Sequence, residues 1–174
     1  MKQLLILLLG VCLTGSSVQA QKVYGTRNGK ISFVSPTDED VKAVNNEVTS
    51  RLAENGTLSF SLLIKGFKFK YAEMQDHFNN EYLMSTQFPR ADFKGTITNI
   101  QQVSLSKNGT YKAVVKGNLT LHGVTKPITV NGTITVKDGK ISALAKFIIV
   151  MKDFNIDASS VTDVVNAEVN CLYQ

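Results

Sequence analysis

Three dipeptides, Asn55-Gly56, Asn108-Gly109 and Asp138-Gly139, punctuate runs rich in Val, Ile, Thr, Phe and Tyr. Such pairs reach the positive φ angles of two-residue hairpin turns, so the sequence predicts three β-hairpins. The flanking runs alternate as strands do. Tyr111, Ala113, Val115, Gly117, Leu119 and Leu121 share one face, while Lys112, Lys116, Asn118, Thr120 and His122 share the other. After a short Gly123-Val124 connection, Ile128, Val130, Ile134 and Val136 resume the apolar face. An antiparallel meander with one face hidden from water follows.

Val44 to Ala53 fits a helical face as well as a strand, but the Asn55-Gly56 turn and the strand-like TLSFSLLIKGFKF after it favour a hairpin. A short helical turn is expected near PTDEDV. The clearest helix is Ala72 to Ser85, where Met74, Phe78 and Tyr82 fall on one face with Leu83 and the edge of His77. Pro89 bars its continuation, and a strand restarts after it. Glycines at 66, 95, 117 and 132 suit the bends and bulges that curl a sheet. The expectation is a mainly β chain: an antiparallel barrel of about eight strands, a size that encloses one slender ligand, with one short intervening helix.

Lys2, the apolar run Leu4 to Leu13 and the small-residue ending at Ala20 read as a signal peptide over residues 1–20, leaving one domain, 21–174. Cys12 inside that run raises a lipoprotein reading, which Val11 opposes. Export to the periplasm or outside the cell is expected, after cleavage near Ala20. Removing Lys2 lowers the formal charge from +5 by one, and the basic residues are scattered, which gives nucleic-acid binding no support. Cys171 would be the sole remaining cysteine, in register with Val165, Ala167, Val169 and Tyr173, and reads as a buried free thiol. Four Asn-x-Thr sequons, at Asn55, Asn108, Asn118 and Asn131, read as turn and surface-strand residues in a chain of bacterial character.

Chemistry is sparse. His77 and His122 are the two histidines, on different elements, with neither a Gly-x-Ser-x-Gly elbow nor metal-ligand spacing nearby. Asp38 to Asp40 reads as a helix-start or solvated cluster. No catalytic residue, metal site or cofactor is assigned. Conspicuous instead is a supply of large apolar groups on the central strands and helix, Phe67 and Phe69 among them. In KFIIVMKDFNI, Phe147, Ile149 and Met151 face one way and Ile148 and Val150 the other, so this strand should be covered on both sides or join a partner.

Four segments together resemble the YceI-like family, exported lipocalin-like proteins known as polyisoprenoid-binding. They are GTLSFSLLIKGFKF, MQDHFNNEYLMSTQFPRADFKGTI, GNLTLHGVTKPITV and FIIVMKDFNI, in the family's order over nearly the whole chain after residue 20. The chain departs from many relatives at its QKVYGTRNGKISFVSP start and at Asn155, where Gly is frequent. The resemblance implies a lipocalin-like barrel with a hydrophobic lumen for an isoprenoid or other long-chain amphiphilic lipid. It places Phe78, Tyr82, Phe88 and Phe93 near that lumen. Further candidates are Phe60, Leu62 and Ile64, then Leu119, Leu121, Ile128 and Val130, then Phe147, Ile149 and Phe154, with the inward face of the strands undecided. Transient membrane contact and a homodimer are both compatible with this reading. The runner-up is a non-catalytic structural barrel with a packed lumen that assembles through the apolar strand around Ile148. A hydrolase or metal enzyme using His77 or His122 is a third, weaker reading.

Overall fold

The computed structural model describes residues 21–174. The expected signal segment lies outside the described residues. The strands are β1 (Val23–Val34), β2 (Lys42–Ala53), β3 (Thr57–Leu63), β4 (Lys68–Phe69), β5 (Arg90–Ile97), β6 (Gly109–Leu121), β7 (Val124–Lys137), β8 (Lys140–Val150) and β9 (Val164–Tyr173). They hydrogen-bond in the order β1-β9-β8-β7-β6-β5-β3-β2, and β1 pairs with β2 to close the ring. The result is an eight-stranded antiparallel closed barrel. The two-residue β4 is an addition, docked on β2 where β3 has ended.

The turns sharpen the sequence reading. Asp138 and Gly139 adopt φ +51° and +76°, the two-residue hairpin expected of them. At the first dipeptide only Gly56 has positive φ (+87°), and its N–H bonds Ala53 O at 2.8 Å. That is a three-residue loop. Asn108-Gly109 is not a hairpin, because it ends a long connection from β5. Its Asn108 side chain instead accepts from Asp138 N at 3.0 Å, tying β6 to the next turn. The unannounced tight hairpin is His122-Gly123, with φ +50° and +74°, between the paired Leu121 and Val124. Asp38 to Asp40 form turns rather than a helix, with Asp40 N bonded to Asp38 Oδ1 at 2.9 Å.

None of the four predicted strand glycines is a bulge. The β1–β2 register shifts instead around Gly29, while β5–β6 and β6–β7 run unbroken. Gly95 and Gly117 stand opposite each other, and the Phe93 ring lies across both. A Cβ on either glycine would approach the ring's Cζ to 2.6 Å. Gly66 sits in a 3-10 turn, Ile64–Gly66, against the buried Asn45. Asn45 donates to Leu63 O at 2.9 Å and accepts from Glu47 N at 2.8 Å, fixing the strap that leaves β3.

The helix α1 runs Ala72–His77 and continues as a π-helical turn, Phe78–Tyr82, ending three residues before the expected Ser85. Leu83 N bonds Phe78 O at 2.9 Å across that wider turn, which lets Phe78 and Leu83 both point into the core. Positive φ at Met84 (+44°) then ends the element before Pro89 is reached. β8 likewise stops at Val150, and Met151–Phe154 form a 3-10 turn closed by Asn155 at φ +54°. Asparagine tolerates that left-handed conformation, which glycine would also reach without strain.

Two apolar clusters fill opposite ends of the barrel. One end is sealed by Tyr24, Leu52, Ile97, Ile141 and Tyr173, with Ser50 Oγ and Tyr173 Oη hydrogen-bonded at 2.8 Å. At the other, Phe78 of the helix meets Phe33, Phe67 and Phe69 with ring centroids 4.9–5.7 Å apart. Gly117→Val should force the Phe93 ring aside and cost about 1–3 kcal/mol. Thermal unfolding followed by circular dichroism should show a Tm lowered by several degrees.

Candidate functional site

Between the two clusters the barrel holds a cavity of about 500 Å³, within the ordinary range for ligand pockets. Every strand of the closed ring turns inward-facing residues onto it. Phe60 and Leu62 come from β3, Leu119 and Leu121 from β6, Ile128 and Val130 from β7, and Phe147 and Ile149 from β8. Phe93 rises from the floor with Leu58, while Ile64, Phe78 and Tyr82 close in from the helix end. Phe60, Tyr82, Leu119, Ile128, Phe147 and Ile149 are only half-buried although they point inward. They border open space.

All the candidate residues line this cavity except Phe88 and Phe154. Phe154 is buried in the core beneath the 3-10 turn, and Phe88 packs edge-on to His122 with centroids 4.4 Å apart. The positive φ of His122 takes its ring off the polar strand face on which alternation placed it. Its Nδ1 donates to Phe154 O at 3.1 Å. His122 therefore pins the β6–β7 hairpin to the turn after β8.

Sequence reasoning missed several wall residues. Ile31 and Phe33 of β1 and Val165, Ala167 and Val169 of β9 line the cavity, joined at its helix end by Phe67, Phe69 and Met74, which the sequence marked as apolar without assigning them to the site. Ile31 and Phe33 alternate within KISF, which was a usable signal. Phe69 stood out only as a large apolar group, because its inward position depends on the short β4.

The cavity wall is almost wholly apolar. Its polar members cluster at the helix end, where His77, Glu81 and Thr162 reach it. His77 Nδ1 lies 2.8 Å from Glu81 Oε1, and Nε2 lies 3.8 Å from Glu73 Oε1. Thr162 is held by Ser35 Oγ at 3.1 Å and donates to Val164 O at 2.5 Å. Val41 and Val161 complete the mouth. Among the described residues no three His, Cys, Asp or Glu side chains come together as metal ligands.

Residues 14–172 match the YceI-like domain. The chain belongs to the YceI-like family. It is 32% identical over 107 residues to a UPF0312 protein of Pseudomonas fluorescens, covering 61% of this chain and 46% of that one. The matched segment thus spans less than half of that relative's length. The barrel superposes on a polyisoprenoid binding domain from Saccharophagus degradans, implicated in plant cell wall breakdown, with a TM-score of 0.75. Identity there is 12%, over 87% of this chain and 97% of the other. BcnA of Burkholderia cenocepacia gives a TM-score of 0.70 at 18% identity, over 84% and 96% of the two chains.

In this YceI-like barrel Cys171 is fully buried, beneath the β1 bulge at Gly29, and burial pushes its thiol pKa up to about 11. It should resist a thiol reagent at pH 8 in the folded protein and react at once in guanidinium, as absorbance of the released chromophore would show. The Glu81 carboxylate, seconded by Glu73, holds the exposed His77 imidazole above its ordinary pKa. The pairing therefore contributes below the unfolded pKa of about 6.5 and fades as pH rises through the folded value. An NMR titration should place His77 above the free-histidine midpoint, and Glu81→Gln should lower it.

Proposed function

We propose that the barrel binds a long-chain isoprenoid or similar amphiphilic lipid in its lumen, and sequesters or carries it in the periplasm or outside the cell. The observation that carries this reading is the open, almost wholly apolar cavity walled by all eight strands of the ring. Each five-carbon isoprene unit moved from water into such a wall gains about 3–4 kcal/mol gross, at about 0.8 kcal/mol per carbon. A few units would offset the cost of ordering the chain. Polar groups confined to the helix end suit an amphiphile whose tail enters first and whose head stays near His77, Glu81 and Thr162. The polyisoprenoid binding domain with the same fold supports the reading. Export rests on the character of residues 1–20.

An open lumen counts against the packed structural barrel. No step of catalysis is assigned: the buried thiol of Cys171 is sealed from the cavity mouth, and His122 lies outside the cavity lining with Nδ1 on a backbone carbonyl.

Mass spectrometry of organic extracts from natively purified protein should find a long-chain lipid. Ala145→Trp should fill the lumen from β8 and weaken a fluorescent polyprenyl probe by about ten-fold or more, the loss of two buried carbons' worth of contact or more. An extract without lipid, together with no probe binding by the unaltered protein, would sink the reading.

A further inference from the structure

Ile148 is the most exposed of the large apolar side chains, 65% open to solvent. The strand it belongs to was expected to be covered on both sides or to join a partner, and its outer face is bare among the described residues. Val150, two residues on, is also exposed. Ile148 sits in a shallow groove that crosses the outer faces of β8, β9, β1, β2 and β4, where Val34 and Val44 also turn outward. Lys42, Lys68, Lys70 and Lys146 line this groove. Two of these charges are answered: Lys146 lies 3.0 Å from Glu168 and Lys70 lies 3.7 Å from Asp40. Lys42 and Lys68 have no carboxylate within salt-bridge distance among the described residues.

We propose that this groove docks the YceI-like barrel on the surface of an anionic phospholipid bilayer. Ile148, Val34 and Val44 would enter the acyl boundary, and the lysines interleaved with them would meet lipid phosphates. A second copy fits poorly, because a two-fold contact would set lysine against lysine across a groove whose one acidic lining residue, Glu168, is already engaged by Lys146. Strand addition is closed off at β8, β9 and β1, which are paired on both sides within the ring, and β4, the one edge strand of the groove, is only two residues long.

The groove and the lumen share a wall. Phe33, Phe69, Phe147 and Ala167 border both, and Val41 at the cavity mouth lies in sequence between Asp40 and Lys42. A barrel seated on this face would hold its mouth close to the bilayer. The docking surface stands on exposure and charge, while its use for loading cargo rests on the proposed lipid-binding function.

The test is co-sedimentation of the protein with phosphatidylcholine vesicles containing roughly 30% phosphatidylglycerol, against pure phosphatidylcholine, at low and high salt. Binding should favour the anionic vesicles by about ten-fold or more and fall in high salt, at about five-fold for each lysine engaged. Lys42→Glu with Lys68→Glu should abolish that preference, and Ile148→Asp should weaken binding, with Tm and polyprenyl-probe binding unchanged in both variants. Ala145→Trp, which fills the lumen, should still bind vesicles, so a failure of the cargo reading would leave docking intact. Equal binding to both vesicle types, or variants that bind like the parent, would overturn the proposal. So would a dimer in sedimentation velocity that Ile148→Asp dissociates, since that gives the face to a second copy.

Discussion

Closure of the sheet through β1 is the constraint on which the rest of the molecule depends. β1 pairs with β2 from Val23 to Val34 and, beyond the irregularity at Gly29, with β9 from Lys30 to Val34. A ring leaves its long strands no open edge to aggregate through. It also decides which face of each strand is interior. Alternation along β6 permits either choice in isolation, and only the closed ring commits Val115, Leu119 and Leu121 to a common lumen with Phe147 and Ile149.

The two ends of that ring are built for different tasks. At the sealed end the side chains interdigitate completely: Leu52, Cys171, Ile141 and Tyr173 are at most 1% exposed, and the buried hydroxyls of Ser50 and Tyr173 satisfy each other. At the other end a short helix with a π-turn lies over the opening, anchored chiefly by Phe78 among aromatic neighbours. Stability is concentrated in the first and access in the second. The hydrogen-bonded threads that shape the open end, Asn45 to Leu63 and His122 to Phe154, run from one strand to a neighbouring strap. They hold the rim in place and leave the lumen free.

How much of this was legible in the sequence depends on the range of the interaction concerned. Strand alternation is local, so the hairpin at Asp138-Gly139, the meander from Tyr111 to Val136 and the inward face of the helix could be read directly. The same rule misplaced His122, because one residue in the left-handed conformation breaks the alternation that surrounds it. The break in TLSFSLLIKGFKF that sets β4 apart from β3 could not be foreseen, since a two-residue strand has no periodicity and exists only because β3 vacates the flank of β2. Phe88 was drawn into the candidate site by its family motif and Phe154 by its place among the large apolar groups, while their packing is set by a hairpin and a 3-10 turn. Val150 was read correctly as strand, and whether its apolar outer face is covered or meets a partner stayed open, since no sequence rule says which.

The Gly95–Gly117 pair has one more consequence. The Phe93 ring resting on it forms part of the cavity floor, and it is supported from below by two backbones brought close enough to exclude a Cβ. A side chain standing on other side chains could swing away to admit a longer guest. This one stands on the sheet itself, so for the lipid proposed above the depth of the barrel would act as a fixed gauge: what exceeded it would remain outside the mouth, where the helix and the acidic-histidine cluster would meet it.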